Sequence, residues 1–337
     1  MWGSMKSART RRVISIGGVL GAIAVLVVLS TPNRPRVLAV DETPKDAEVR
    51  TVFTATNAKV LFLRAGQFDL TDGKLSRIRP VTGKFPKAPE LHLVYNGTRR
   101  ILSEFERIET SGLAGEVADT YRLDLSRASK ENVGVTGLQL DLDVPTRLLP
   151  RYAELLRRVR ELLPPDTALS VTGLPTWADS NDIQLVLEAV DFWIPQCYGA
   201  RIPTSIAERI PISSAMEVER TIPKIRELEK PFYAGLSAYG YVILYGRDGN
   251  LIELRGDVAL SDVSGRKEME LAATRTFRVD GKASEVRQEY RAKSDVVIDG
   301  LIIHAGETLV FDLPTAASLR ASARAVRENA GGALLGI

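Results

Sequence analysis

A single cysteine, Cys197, excludes an internal disulfide, and only two histidines, His92 and His304, leave few ligands for a zinc centre. Any metal would have to be held by oxygen donors. The glycines form neither a G-x-G-x-x-G fingerprint nor a phosphate loop. There is also no strong excess of one charge. The 45 basic and 42 acidic residues leave +3, part of it in the first twelve residues, so the electrostatic footprint of a nucleic-acid-binding protein is missing. We expect no metal, no cofactor and no nucleic-acid partner.

What is present is an ordinary globular composition, 45% hydrophobic and 26% charged, with enough apolar material for a sizeable core. At 337 residues the chain can hold two average domains or one large barrel with additions. One apolar run stands apart, VISIGGVLGAIAVLVVLS at 13–30, preceded by Lys6, Arg9, Arg11 and Arg12. As a helix, such a run spans roughly 27 Å, close to the hydrocarbon thickness of a bilayer. The basic tail, 1–12, should stay cytoplasmic and the rest of the chain should be exported. The alternative is a cleaved signal peptide, for which Val37-Leu38-Ala39 has suitable small residues but lies far beyond the apolar run.

Residues 31–50, rich in Pro, Asp, Glu and Lys, read as a linker. Beyond it, strand-like runs alternate with amphipathic helical patterns: 59–63, 75–81, 91–95, 137–143, 167–173, 191–198, 231–237 and, after an interruption, 307–314. The helix at 149–163 is the clearest, with Leu149, Tyr152, Leu156, Val159 and Leu163 on one stripe. From Tyr241 to about residue 300 the pattern becomes polar, β-rich alternation, with hairpin signals at Asp248-Gly249-Asn250 and Asp280-Gly281. Eight strands separated mostly by helices predict an α/β fold, a (β/α)8 TIM-type barrel irregular in its first half. The barrel takes 51–240 and 301–330, and 241–300 is an inserted β-rich subdomain before the last strand. An open doubly wound sheet is the alternative.

Alternation in GLQLDLD puts Leu138, Leu140 and Leu142 on one face and Gln139, Asp141 and Asp143 on the other. If the leucines meet the helices, an amide and two carboxylates point into the barrel, where charge is costly unless paired or solvated. Asp143, nearest the C-terminal end of the strand, falls where barrel enzymes place catalysts, with Asp141 behind it. Neighbouring carboxylates cannot both ionise freely, so one becomes a potential general acid. The competing reading is a buried structural network. In DFWIPQCYG, Phe192, Ile194, Gln196 and Tyr198 share a face, which brings Gln196 and Tyr198 to the same mouth. Tyr95, Trp177, Tyr239 and Tyr241, at strand ends or in the following loops, are candidate stacking platforms for sugars, and Arg64 could pair with a site carboxylate. Asn96-Gly97-Thr98 reads first as a turn opening a helix, and Cys197 as a small core residue.

The segments GLQLDLDVPTRLLPRYAELLRRVRELLP, LSVTGLPTW and VDFWIPQCYG resemble a bacterial family catalogued as domain of unknown function 3142, over most of residues 55–240 and again at LVFDLPT. More distantly they look like chitinase-type glycoside hydrolases of family 18, whose fourth barrel strand reads D-x-x-D-x-D-x-E and whose sixth carries M-x-Y-D. On that pattern Asp141 and Asp143 match the last two aspartates and Tyr198 the tyrosine. Leu138 stands at the first aspartate, Pro145 at the catalytic glutamate and Gly199 at the aspartate after the tyrosine. The resemblance implies a glycosidase-type barrel with its pocket at this place, and the departures leave the family's acid mechanism without its acid.

The expected function is that of a carbohydrate-active protein tethered to the bacterial inner membrane, with its soluble domain in the periplasm or beyond. It would bind a polysaccharide or oligosaccharide and hydrolyse it, with Asp143 and Asp141 as catalytic residues and Gln196, Tyr198, Gln139, Trp177, Arg64 and Tyr95 binding substrate. A second carboxylate for such chemistry would have to come from Asp312 or Asp179. The alternative is a glycan-binding or envelope-assembly protein that has lost the acid. Two further readings are weaker. One takes Asp141-Leu142-Asp143 as a metal-binding D-x-D of nucleotide-sugar transferases, and the other takes the whole domain as a structural scaffold.

Overall fold

The computed structural model describes residues 36–40, 46–199, 201–255, 258–279 and 282–337. The expected membrane segment, 13–30, and the turn at Asp280-Gly281 lie outside the described residues. Among the described residues no helix is long and apolar enough to cross a membrane.

In chain order, β1 is Arg36–Val40, α1 Asp46–Thr56, β2 Ala58–Thr71, β3 Lys74–Ile78 and β4 Glu90–Gly97. Two helices follow, α2 (Arg99–Glu104) and α3 (Thr110–Lys130), then β5 (Gly137–Asp141), α4 (Leu149–Leu162) and β6 (Ala168–Gly173). Next come α5 (Ile183–Glu188), β7 (Phe192–Pro195), α6 (Ala215–Glu227) and β8 (Phe232–Tyr233). The chain then enters β9 (Tyr241–Tyr245), β10 (Leu251–Arg255), α7 (Leu260–Val263), β11 (Met269–Val279) and β12 (Lys282–Ala292). It ends with β13 (Val296–Ile298), β14 (Leu301–Ile303), β15 (Thr308–Pro314), α8 (Ala316–Asn329) and β16 (Leu334–Gly336).

The chain divides into two compact units. The α/β unit holds a parallel sheet in the order β1-β2-β4-β5-β6-β7-β8-β16, which follows chain order without a reversal. A doubly wound sheet has a switch point where that order reverses, so the alternative is set aside. The sheet also curls. Three strands separate β2 from β7, about 19 Å in a flat sheet, yet the Phe62 and Phe192 rings are 6.2 Å apart and Phe62 and Tyr233 are 6.1 Å apart. His92 joins this plug of rings at 4.8 Å from Phe62. Its place depends on Gly137, where a Cβ would come within 2.1 Å of the imidazole. Outside, Leu61, Leu63, Leu93, Leu138 and Leu140 are fully buried, and the expected stripe of α4 is buried throughout.

Membership of the sheet differs from the sequence reading at four places. Residues 36–56, mostly assigned to the linker, include β1 and α1. The run at 75–81 yields β3, an antiparallel hairpin partner of the extended end of β2, not a parallel strand. The run at 307–314 is β15, which lies antiparallel between β9 and β12 in the other unit. The last parallel strand is instead β16, three residues near the C-terminus. Thr98 does open a helix, its hydroxyl capping the backbone N–H of Ile101.

The second unit, residues 202–211 and 239–315, is built on an antiparallel sheet in the order β10-β9-β15-β12-β11. Its longer segment starts where the periodicity changes, but the unit also takes 202–211 and extends past residue 300. One face carries Val242, Leu244, Tyr290, Leu309 and Phe311, packed with Val263, Ile298, Leu301 and Ile303 into a core of its own.

Candidate functional site

The inner face of the parallel sheet turns from apolar to polar along the strands. At the N-terminal end lie Val60, Phe62, Phe192 and Tyr233. Gln139 on β5 is buried above them and its Nε2 donates to Ser170 Oγ on β6 at 3.1 Å. One step further, Asp141 accepts a short hydrogen bond from the Thr172 hydroxyl. Burial raises the Asp141 carboxyl above the usual carboxylate range, opposed by that hydroxyl and by the positive charge of Arg64 on β2. Gln139 and Arg64 therefore serve the floor and electrostatics of the site.

Asp143 follows the end of β5 and reaches solvent, yet protein atoms crowd its carboxyl from the sides. This desolvation, then the charge of Asp141, push it up to about 6, against a hydrogen bond from Gln196 Nε2 at 3.3 Å. Gln196 itself is positioned by backbone bonds from its N–H to Gly173 and from Cys197 N–H to Gly235. The expected grouping of Asp141, Asp143 and Gln196 is thus brought together. Tyr198, two residues past Gln196, is half-buried. A carboxyl poised near 6, held by an amide at the open end of a parallel sheet, can exchange a proton with a ligand close to neutral pH.

Other expected site residues lie elsewhere. Tyr95 is fully buried on the helix side of β4 and donates its hydroxyl to Asp124 of α3 at 2.8 Å, beside Arg77. Its parity with Leu91 and Leu93 dictates this, so it offers no platform to a ligand. Trp177 is also fully buried. Its indole donates to the Val144 carbonyl at 3.0 Å and its ring meets Tyr152 edge-on at 5.8 Å. It braces the loop that carries Asp143 from behind. Tyr239 and Tyr241 belong to the antiparallel unit. Asp312 does too, buried and clamped by Arg287 through two bonds of 2.7 Å. Asp179 is exposed and paired with Lys224. Neither supplies the second carboxylate.

Two residues were missed. Thr172 bonds Asp141, and Asn96 stands beside Asp141 in the parallel register. Both follow the alternation that exposes the inner face, Ser170-Thr172 and His92-Val94-Asn96, a pattern readable once the facing side of each strand is known. Among the described residues no group of three or more His, Cys, Asp or Glu could hold a metal ion. Cys197 is buried and its thiol is pushed up to about 12, which leaves it inert at neutral pH.

The structure superposes on the crystal structure of the spore cortex-lytic enzyme SleL from Bacillus cereus with a TM-score of 0.54 at 15% identity, covering 89% of this chain and 69% of that one. At that identity the likeness is one of fold. Low-identity similarity to family 18 barrels accompanies it. A chitinase from Chromobacterium violaceum aligns at 12% identity over 88% and 98% of the two chains, with a TM-score of 0.47. A glycoside hydrolase family 18 N-acetylglucosaminidase from Paenibacillus barengoltzii aligns at 12% over 90% and 94%, with a TM-score of 0.48. No curated protein matches the sequence. Residues 113–280, from α3 through β11, match the family model described as domain of unknown function (DUF3142), and the chain therefore carries a DUF3142 domain.

Proposed function

We propose that this is a carbohydrate-active protein whose α/β unit closes as a (β/α)8 barrel and receives a glycan at the C-terminal ends of its strands, where it cleaves a glycosidic bond. The observation that carries the proposal is Asp143, solvent-reaching, held by Gln196 and pushed up to about 6. Below that pH the carboxylic acid gives its proton to the leaving glycosidic oxygen as the C1–O bond breaks; water supplies the hydroxyl to C1, and its remaining proton returns through solvent to the Asp143 carboxylate, which restores the acid. Desolvation first, and then the charge of Asp141, held by Thr172 beneath it, favour the protonated form of Asp143. The fold likeness to a cortex-lytic enzyme supports a glycan as ligand.

A second reading is favoured by one observation. Pro145, exposed two residues after Asp143, stands where the family 18 pattern has its glutamate. On this reading the pocket binds glycan without cleaving it. Reducing-end release by the full-length chain from peptidoglycan, chitin, glucan and exopolysaccharide, beside Asp143→Asn, separates the two. Release lost in the variant supports hydrolysis. Binding by both proteins with release by neither supports the receptor.

The protein is further proposed to be anchored by residues 13–30 in the bacterial inner membrane, with its folded units in the periplasm or beyond. Resistance to carbonate extraction, together with protease access in spheroplasts, tests this. Extraction into the soluble fraction would refute the anchor.

A further inference from the structure

Asn96 lies at the centre of the polar row. It stands on β4 between Gln67 of β2 and Asp141 of β5 in the parallel register. A register shift after Arg64 brings Gln67 onto this face. The Asn96 Oδ1 atom is buried and meets no donor among the described residues. Its neutral neighbours are committed elsewhere. Gln67 Nε2 donates to the Gly97 carbonyl, the Thr172 hydroxyl to Asp141 and Gln196 Nε2 to Asp143. Exchanging the oxygen and nitrogen of the amide would put an equally unmatched donor in the same place. A buried polar atom without a partner costs stability, so its retention calls for an explanation.

We infer that Asn96 is a ligand-binding residue of this site, its half-buried side-chain amide turning about the Cβ–Cγ bond so that the oxygen accepts a hydrogen bond from a hydroxyl or N–H of the bound sugar. The inference rests on the carbohydrate reading of the site and deepens it. The row Asn96–Asp141–Thr172 then forms the floor on which one sugar ring sits. Asn96 selects for a ring that presents a donor at that point, while Asp143 and Gln196 face the bond beside it. A site that hydrogen-bonds a hydroxyl discriminates against a ring lacking it, because the acceptor is then left unmatched.

The test is isothermal titration of the full-length chain in detergent with tetra-N-acetylchitotetraose, cellotetraose and laminaritetraose, for the wild type, Asn96→Leu and Asn96→Ser. Thermal unfolding is recorded for each. Leucine is close in size and removes the unmatched atom; serine shortens the side chain without adding apolar bulk. For whichever probe the wild type binds, both variants should raise Kd by roughly fivefold or more, the loss of one neutral hydrogen bond. The melting temperature of Asn96→Leu should be equal to or above that of the wild type. Unchanged Kd in both variants would overturn the inference, as would a loss of affinity matched by a fall in melting temperature in both, which is the mark of a structural role. If the wild type binds none of the three glycans, the inference is overturned for these rings, an outcome visible from the wild-type titrations alone, while the carbohydrate reading itself stands or falls separately on release from and binding to the four-polysaccharide panel.

Discussion

Asp143→Asn should remove the proposed hydrolysis and, near neutral pH, make the protein more stable. The Asp143 carboxyl is pushed from an ordinary 3.8 up to about 6 in the folded chain. A folded-state value above the unfolded one means that the group's contribution to stability is fully present below about 3.8 and is lost as pH rises through about 6. Above that, the folded chain carries an ion that is better solvated in the unfolded chain. Undiminished, the displacement would correspond to about 3 kcal/mol. Because the carboxyl reaches solvent at the mouth, screening reduces this to about 1 kcal/mol. Asparagine keeps an oxygen to accept from Gln196, so the substitution removes the charge and little else. Differential scanning calorimetry should show the variant melting about 2–4 °C above the wild type at pH 7.5, with the difference vanishing near pH 3.5. In the same pH series, hydrolysis by the wild type should decline above about pH 6, as the acid loses its proton. A melting difference that is constant from pH 3.5 to 7.5, or a variant less stable at pH 7.5, would refute the reasoning about this carboxyl.

In the antiparallel unit, Asp312→Ala strands a buried Arg287 and should cost about 3–5 kcal/mol in urea unfolding; replacing both partners together with Leu and Met should cost less than the single change, and an equal cost would contradict the ion-pair account. Gly137→Ala should lower stability by at least about 2 kcal/mol, since the methyl meets the His92 ring wedged against Phe62 and Phe192; a variant melting with the wild type would show that the plug yields. Cys197 should resist a thiol reagent such as dithionitrobenzoate at pH 8 until the chain unfolds, because burial both blocks it and pushes its thiol up to about 12. Labelling of the folded protein within minutes would count against that packing.

Which features could be read from the chain depended on how far apart the deciding residues lie. The helix at Leu149–Leu162 and the shared face of Gln139 and Asp141 follow from side-chain periodicity within one element, whereas Asp143 lies just past the end of its strand. The change of architecture near Tyr241 was also legible, because composition and alternation change there locally. Pairing is another matter. Leu309, Val310 and Phe311 form an apolar run that suits a parallel interior strand as well as an antiparallel one, and only the ladders to β9 and β12 decide between them. Residues 334–336 are too few for any periodicity, so β16 depends on the waiting edge of β8. The same division holds at the site. The sequence by itself determined that Gln139 and Asp141 share one face of β5 between leucines, since the pleat allows nothing else. That Trp177 and Tyr95 turn away, that Thr172 and Gln196 complete the carboxylates, and that Asn96 stands among them with an unmatched oxygen were decided by tertiary structure alone, because each depends on which strands become neighbours when the sheet curls.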